Sequence, residues 1–231
     1  MIKRVLSILL NKRASILLLK ILLIIYKKSY SLMTTISEII EGNEKHPKHR
    51  IMRYREWFAD NIDSKWTVLD IGSHNGHMSY FLSNYCSFVY GLEISKSNID
   101  SAIKNHSREN IEYIHADATT YNYSGKQIDC VTLSNVLEHI DSREFFLKKI
   151  LSQVNWAGNP LILIRVPMID RDWMPTYLKE LGLDYRLDVT HYTEYTLRSF
   201  YEELNRCGIE VTSHQIQWGE IYAICTNIKS T

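Results

Sequence analysis

Short apolar runs alternate with amphipathic segments along most of this chain. Seven runs rich in β-branched and aromatic residues predict strands, at 67–71, 88–92, 111–115, 128–133, 161–166, 210–215 and 221–226. Helical periodicity predicts helices between them, at 76–85, 96–105, 142–154 and 193–206, with a weaker helix at 118–122. Strands that alternate with helices in this way are typical of βαβ units and a mostly parallel sheet.

Two segments depart from this alternation. Only a short turn around 217–219 separates the last two predicted strands, which makes them a hairpin with one antiparallel partner. Residues 167–192 contain two prolines and clustered aromatic residues. They follow the fifth predicted strand as an insertion at the sheet edge where open α/β sheets bind ligands. The sequence thus predicts an α/β fold with a seven-stranded, mostly parallel sheet, a C-terminal antiparallel hairpin and helices on both faces.

The N-terminal segment differs in composition, because residues 1–32 include seven basic side chains and no acidic one. Three of the basic residues are spaced seven apart and would form one cationic stripe on a helix: Arg13, Lys20 and Lys27. The longest apolar stretch, 14–26, is shorter than the roughly 20 residues that span a bilayer. We predict a basic amphipathic helix with peripheral membrane contact through residues 1–28. A signal peptide and a helix packed against protein are the alternatives.

The composition of the whole chain is that of an ordinary globular protein. The 231 residues are 45% hydrophobic and carry a net charge near +1, which gives no argument for nucleic-acid binding. The four cysteines form no CxxC pair, and Cys130 and Cys225 lie in apolar runs, as buried thiols in a reducing compartment do. We therefore expect a cytoplasmic protein, peripheral on the inner face of the cell membrane if its N-terminal helix binds lipid. The oligomeric state stays open.

Acidic residues end three of the predicted strands. Asp70 ends the first strand in VLDIGSHNG, where two glycines then let backbone approach a ligand closely. Glu93 follows in VYGLEIS, about 20 residues after that loop, where a carboxylate can accept hydrogen bonds from ribose hydroxyls. Asp117 follows in YIHADAT. His74 stands where such loops favour glycine, and histidine is among the few other residues enriched at positive φ.

These motifs, followed by DCVTLSNVLEHI, resemble the class I S-adenosylmethionine-dependent methyltransferases over roughly residues 48–226. The resemblance implies a Rossmann-like methyltransferase domain over 33–231, with the insertion at 167–192 as a substrate lid and S-adenosylmethionine as the cofactor. It implies cofactor contacts by Asp70, Gly72, Ser73, His74, Asn75, Gly76, Glu93, Ile94, Asp117, Ala118 and Asn135. A dinucleotide-binding dehydrogenase is the competing interpretation. However, GSHNG lacks the G-x-G-x-x-G spacing, and the terminal hairpin is foreign to that fold.

The acceptor side of the predicted site depends on LEHI and on LDVTHYTEYTLRSF. His139 is the candidate general base, because the ordinary histidine pKa of about 6.5 suits neutral pH, and Glu138 and His191 are predicted to act with it. The alternative for His139 is a structural role. The E-x-x-E-H motif of small-RNA 2′-O-methyltransferases, which holds a metal with a later histidine, is also similar, but Asn135 replaces its first glutamate. Three ligands can hold a divalent ion, yet without the fourth we predict no metal.

A basic segment, HPKHRIMRYREWF at 46–58, precedes the first predicted strand. At helical spacing Ile51, Tyr54 and Phe58 would share a face that closes over the cofactor. HPKHR, VPMIDRDW, LDVTHYTEYT and WGEI together resemble methyltransferases of surface-polysaccharide or lipid-linked glycan pathways. We therefore expect O-methylation of a sugar or lipid-linked glycan, with no nucleic-acid partner. A quinone-like or other small aromatic hydroxyl as the acceptor, and a non-catalytic cofactor-binding scaffold, are the alternatives.

Overall fold

The structure, a computed structural model, describes residues 11–42 and 46–228. The chain divides into two compact units, Met1–Arg53 and Tyr54–Thr231. In the first unit, helix α1 (Lys12–Glu41) begins after Asn11, whose side chain accepts a hydrogen bond from the Ala14 amide. The predicted domain boundary at residue 32 lies inside this helix, and the predicted helical residues 1–10 lie outside the described part of the chain.

Helix α1 buries none of its residues, and Leu17 and Ile24 are 60% and 57% exposed. Within residues 11–42 and 46–228, no helix combines the length and hydropathy that crossing a membrane requires. A short helix, α2 (Lys48–Met52), completes the first unit, and Arg50 Nη2 lies 2.5 Å from Glu41 Oε1. Arg53 has a left-handed φ of 50° that ends α2, so the helical spacing expected of Ile51, Tyr54 and Phe58 is interrupted before Tyr54.

The second unit contains the sheet and the helices that cover it. The helices are α3 (Tyr54–Ala59), α4 (His77–Leu82), α5 (Lys96–Asn105), α6 (Arg143–Gln153), α7 (Trp173–Glu180) and α8 (Leu197–Arg206), with single 3₁₀ turns at Leu137–His139 and Ile169–Arg171. The strands are β1 (Thr67–Ile71), β2 (Phe88–Glu93), β3 (Ile111–His115), β4 (Gln127–Ile128), β5 (Cys130–Ser134), β6 (Asn155–Trp156), β7 (Ile162–Pro167), β8 (Ile209–Gln217) and β9 (Glu220–Asn227).

Seven strands form one sheet in the order β3-β2-β1-β5-β7-β9-β8, while β4 and β6 pair separately. Strands β1, β2, β3, β5 and β7 are parallel, and β9 is antiparallel to both of its neighbours. The predicted Rossmann-like sheet with its terminal hairpin is therefore confirmed. The chain leaves β1 toward β2 on one side and returns to β5 on the other. This reversal opens a crevice at the carboxyl ends of β1 and β5, where such sheets bind ligands.

Alternate residues of the central strands pack on opposite faces of the sheet, as the period of a strand requires. On β1, Val68 joins a core that includes Phe58 of α3 and Leu82 of α4. Its neighbour Leu69 joins a larger core that includes Phe146 of α6 and Phe200 of α8. Helices thus cover both faces, as predicted, and the buried sheet holds the strand ends of the crevice in fixed positions.

The predicted strand at 128–133 and the predicted helix at 118–122 differ from the structure. Asp129 divides the strand into β4 and β5, because its backbone N–H and its carboxylate both bond to the backbone of Thr67. Residues 118–120 form a turn rather than a helix, because the Asp117 carboxylate accepts hydrogen bonds from the Thr119 amide and hydroxyl. An aspartate that bonds to the backbone two residues later favours a turn.

Two helices are shorter than predicted. Helix α8 starts at Leu197 instead of residue 193, because Thr196 and Ser199 form a reciprocal capping box. Helix α4 starts after Gly76, which has a left-handed φ of 84°, and ends at Leu82 rather than at residue 85. The amphipathic pattern indicated both helices, but side-chain caps and backbone geometry set their ends.

Candidate active site

The loop after β1 is built on left-handed backbone, with φ values of 75° at Gly72, 50° at His74 and 84° at Gly76. His74 thus adopts the positive φ that the sequence predicted for it. A Cβ atom at Gly72 would lie 2.4 Å from Val136 Cγ2. The loop can therefore pass against the segment that follows β5 only because residue 72 is glycine.

Backbone hydrogen bonds join the ends of three neighbouring strands into one edge. The Gly72 and Ser73 amides donate to the carbonyl of Leu92 on β2, at 2.8 and 3.1 Å. The Ala116 amide, after β3, donates to the Glu93 carbonyl at 3.0 Å. The predicted cofactor residues of these three loops therefore lie side by side along the crevice.

Glu93 holds the first loop in place through its side chain. Its carboxylate accepts hydrogen bonds from the backbone of His74 at 3.0 Å and of Ser95 at 2.8 Å. Asn98 adds a longer bond to the same carboxylate, at 3.4 Å. Glu93 is 7% exposed, so its charge lies at the floor of the crevice, satisfied by donors that a ligand hydroxyl can supplement.

Asp70 lies beneath the loop rather than on its surface. It is 1% exposed, and its two oxygens accept the hydroxyls of Ser79 at 2.6 Å and Thr132 at 2.9 Å. Burial raises the pKa of Asp70 to about 6, against the two hydroxyl bonds that lower it. The structure therefore gives Asp70, which the resemblance implied as a cofactor contact, the position of a group that braces the loop from below.

The other predicted cofactor residues line the same edge. The Asn75 carbonyl accepts a hydrogen bond from His106 Nδ1 at 2.8 Å, which fixes the middle of the loop. Ile94 is 64% exposed beside Glu93. Asp117 uses Oδ1 for its turn, and the Ala118 carbonyl accepts the Tyr123 hydroxyl at 2.7 Å.

Asn135 closes the crevice after β5, with a left-handed φ of 54°. Its Nδ2 donates to Glu220 Oε1 at 3.2 Å, and Glu220 in turn pairs with Arg165, whose Nε lies 2.6 Å from Oε2. Asn135 Oδ1 and the hydroxyl of Ser73 are buried without a hydrogen-bond partner in the described structure. Buried polar atoms in this state are what a polar ligand satisfies.

Glu138, His139 and His191 form the acceptor side of the site. Each offers one ligand atom, and these atoms lie within 4.8 Å of one another. Glu138 and His139 stand on the 3₁₀ turn after β5, while the Tyr192 amide donates to the Glu138 carbonyl at 2.8 Å and brings His191 against them. The rings of His139 and His191 meet edge to face, with centroids 4.6 Å apart. The structure thus brings together all three predicted catalytic residues.

A carboxylate holds each imidazole from its outer side, directly for His191 and through a hydroxyl for His139. His191 Nδ1 lies 3.1 Å from Glu194 Oε1. His139 Nδ1 lies 2.9 Å from the Thr190 hydroxyl, which donates its own proton to Asp188 Oδ1 at 2.7 Å. Because that hydroxyl donates its own proton to Asp188, it accepts the hydrogen bond from His139 Nδ1, and the Glu194 carboxylate accepts the one from His191 Nδ1.

The charges of this cluster are strongly affected by burial. Glu138 is fully buried, and burial raises its pKa to about 8. Burial, followed by the nearby His191, lowers the pKa of His139. For Glu194, burial raises the pKa, but hydrogen bonds from His191, the Leu187 amide and Arg171 outweigh it and hold the pKa below its ordinary value. Glu194 is therefore an ionised anchor for His191.

An open cavity of about 360 Å³ lies against this cluster and is lined by His139, Arg186, Val189, Thr190, His191 and Tyr192. Five of the six come from the 186–192 part of the predicted lid. The lid is tied to the domain at its start, where Met168 bridges to Tyr195 and the Ile169 amide donates to the Tyr195 carbonyl at 2.8 Å. Val189 and Tyr192 are 69% and 60% exposed, so the cavity has apolar surface as well as polar groups.

Some residues that support the site through their contacts were not identified from the sequence. Thr190, Arg171 and the Arg165–Glu220 pair were not predicted to take part. One signal was present, because an arginine inside the apolar run ILIRVP is unusual in a buried strand. The contacts of Thr190 and Arg171 join segments far apart in sequence, and no local pattern indicates them.

Comparisons with known proteins agree with this geometry. Residues 69–156 match a protein family described as a methyltransferase domain. A ubiquinone biosynthesis O-methyltransferase of Coxiella burnetii is 30% identical over 94 residues, which is 39% of this chain and 40% of that protein. The chain therefore matches less than half the length of this curated relative.

Solved structures share the fold at low sequence identity. A putative methyltransferase in complex with the Trm112 methyltransferase activator of Haloferax volcanii superposes with a TM-score of 0.62 at 11% identity, over 78% of this chain and 92% of that one. The magnesium protoporphyrin IX methyltransferase of Synechocystis PCC 6803 with bound SAH gives a TM-score of 0.58 at 16% identity, over 78% and 83% of the two chains.

Proposed function

We propose that this chain, which belongs to the class I S-adenosylmethionine-dependent methyltransferase superfamily and has S-adenosylmethionine as its cofactor, methylates a hydroxyl group of a small molecule. One observation carries the proposal. The cofactor loop passes against Val136, and the cluster of Glu138, His139 and His191 starts two residues later. A methyl donor and a hydroxyl held by these two parts would be neighbours.

The residues of the crevice fit the cofactor. Gly72 allows close backbone approach, and the buried Ser73 hydroxyl and Asn135 Oδ1 are polar atoms that a polar ligand can pair. Glu93 would accept the ribose hydroxyls, and Asp117 would accept the adenine amino group. The bound cofactor would supply an electrophilic methyl group on a sulfonium.

The acceptor cluster would supply the rest of the chemistry. Transfer to a hydroxyl forms an O–CH₃ bond while the S–CH₃ bond breaks, and the hydroxyl must lose its proton. Orienting the hydroxyl and promoting that loss are the two tasks left to the protein. His139 and His191 line the cavity, Glu138 is buried beside them, and all three carry polar groups of the type that perform both tasks.

A small aromatic acceptor is the first candidate for the cavity. Val189 and Tyr192 expose apolar surface there, and a cavity of about 360 Å³ suits one ring system. The name of the Coxiella burnetii relative also supports a quinone-like phenol, although the match covers only 40% of that protein. A sugar or lipid-linked glycan is the second candidate, because Arg186 and Thr190 offer polar partners in the same cavity.

A tritiated methyl-transfer assay with two acceptor panels tests this function. One panel contains catechols and quinols, and the other contains monosaccharides and polyprenyl-linked sugars. Transfer to members of one panel supports O-methylation and selects the acceptor class. Tight binding of S-adenosylhomocysteine with no transfer to either panel, or to extracted cell lipids and glycans, contradicts it and favours the non-catalytic scaffold.

We propose further that helix α1 gives the protein peripheral membrane contact. Most of its leucines and isoleucines are exposed, Leu17 and Ile24 among them, and Lys20 and Lys27 repeat along the same helix as Arg13. Such a helix can lie in a bilayer interface with its lysines among anionic head groups. The full-length protein should sediment with phosphatidylglycerol vesicles and a variant lacking residues 2–28 should not; equal sedimentation of the two contradicts the proposal.

A further inference from the structure

Among the described residues of the site, Glu138 has the least satisfied polar side chain. It is 0% exposed, and both of its carboxylate oxygens are buried without a hydrogen-bond partner among the described residues. A buried carboxylate in this condition costs several kcal/mol unless a proton or a cation meets it. The arginines of the site are engaged elsewhere, because Arg171 pairs with Glu194 and Arg165 pairs with Glu220.

The two imidazoles beside Glu138 are oriented as metal ligands are. His191 is held at Nδ1 by Glu194, and His139 is held at Nδ1 through Thr190 by Asp188. A carboxylate behind a histidine fixes the tautomer and directs the lone pair of the other nitrogen at a metal. Both Nε2 atoms and the Glu138 carboxylate are thus available to one ion.

We propose that Glu138, His139 and His191 bind one divalent transition-metal ion through a carboxylate oxygen and the two Nε2 atoms. One potential ligand atom from each of the three residues lies within 4.8 Å of the other two, a separation that one ion can span after small side-chain adjustments. Two imidazoles and one carboxylate favour Mn²⁺, Fe²⁺, Co²⁺ or Zn²⁺ over Mg²⁺ and Ca²⁺.

This site revises the sequence-based prediction of no metal. Asn135 occupies the position of the first glutamate of the E-x-x-E-H motif, and its side-chain amide donates a hydrogen bond to Glu220. Three protein ligands leave coordination positions open, as catalytic metal sites do, and His139 and His191 both line the cavity. The catalytic use of the ion rests on the proposed function: an acceptor hydroxyl bound at an open position would lose its proton to solvent more easily before the methyl group is transferred to it.

Cobalt titration of the full-length protein, after treatment with a chelator and in the absence of cofactor and acceptor, tests the site. Visible absorption reports Co²⁺ coordination and calorimetry gives the affinity. We expect one ion per chain in the wild type. Glu138→Gln and His139→Ala should each weaken binding at least about tenfold. His139 is exposed, so His139→Ala keeps the test valid if a change at buried Glu138 disturbs folding.

Two further variants separate this site from adventitious binding. His214→Ala removes an exposed histidine of β8 and should leave Co²⁺ affinity unchanged. Asp188→Asn weakens the partner behind Thr190 and should lower the affinity by about tenfold without removing a ligand. Equal affinities in the wild type, Glu138→Gln and His139→Ala would overturn the metal site. Intact Co²⁺ binding with no methyl transfer would instead count against the proposed function and leave the site standing.

Discussion

The two sides of the crevice are built in different ways. On the cofactor side, strand ends and backbone amides set the geometry, and the carboxylates of Glu93 and Asp70 accept hydrogen bonds from neighbouring groups. On the acceptor side, side chains from a 3₁₀ turn and from the lid meet around a carboxylate that has no partner in the described structure. Both sides contain unpartnered buried polar atoms, but on the first side these are the Ser73 hydroxyl and Asn135 Oδ1, whereas on the second they are the two oxygens of a carboxylate.

This difference indicates how each side can vary. A loop whose shape is fixed by glycine φ values and backbone hydrogen bonds leaves little freedom to vary what it binds. A lid that supplies His191 and the cavity wall can change its acceptor without disturbing the sheet, as functional loops on rigid scaffolds do. Variants of the two sides should therefore fail in different assays.

His139→Ala should produce the largest effect, and only in turnover. Loss of a positioned acid–base group or metal ligand typically lowers kcat by about 10²–10⁴-fold. Affinity for S-adenosylhomocysteine, measured by calorimetry, should stay within about twofold of the wild type, because His139 takes no part in the bonds that hold the loop after β1. A parallel loss of cofactor affinity would show that the two sides are not separable.

Asp70→Asn should change how stability depends on pH. Burial raises the folded pKa of Asp70 to about 6 from 3.8, so between those values the folded state binds more protons than the unfolded state. The stability of the wild type should therefore fall relative to the variant as pH rises from about 4 to 6, by roughly 3 kcal/mol at most. Urea unfolding at several pH values measures this; parallel stability curves for the two proteins would contradict the assignment.

The cofactor side could be predicted because it depends on local patterns. An acid at the end of each of the first two strands, another just after the third, and a glycine turn place Glu93, Asp117 and the loop at one edge of a parallel sheet. The acceptor side was predicted only in part. The LEHI and LDVTHYTEYTLRSF motifs contained Glu138, His139 and His191. Thr190 and Arg171, however, act through contacts that only the folded lid creates. The predicted helix at 118–122 and the predicted helix start at residue 193 were wrong because a single side chain, Asp117 or Thr196, decides the local structure at each place.

Gly72→Ala should have a smaller effect, confined to the cofactor side. The added Cβ meets Val136 Cγ2 at 2.4 Å, at a φ of 75° that disfavours alanine, so cofactor affinity should fall by about tenfold. Gly125→Ala is the matched control, since a Cβ there meets nothing within 4 Å. Val136→Ala should restore part of the affinity lost in Gly72→Ala. Full affinity in Gly72→Ala alone would show that the close passage of the loop is not required.

Calorimetric titration with S-adenosylhomocysteine tests the two-sided crevice most directly, with the wild type compared with Glu93→Ala and His139→Ala. We predict one binding site per chain in the wild type, an affinity reduced by about tenfold or more in Glu93→Ala, which loses charge-assisted hydrogen bonds, and an unchanged affinity in His139→Ala. No binding by the wild type, or equal binding by Glu93→Ala and the wild type, would contradict the account.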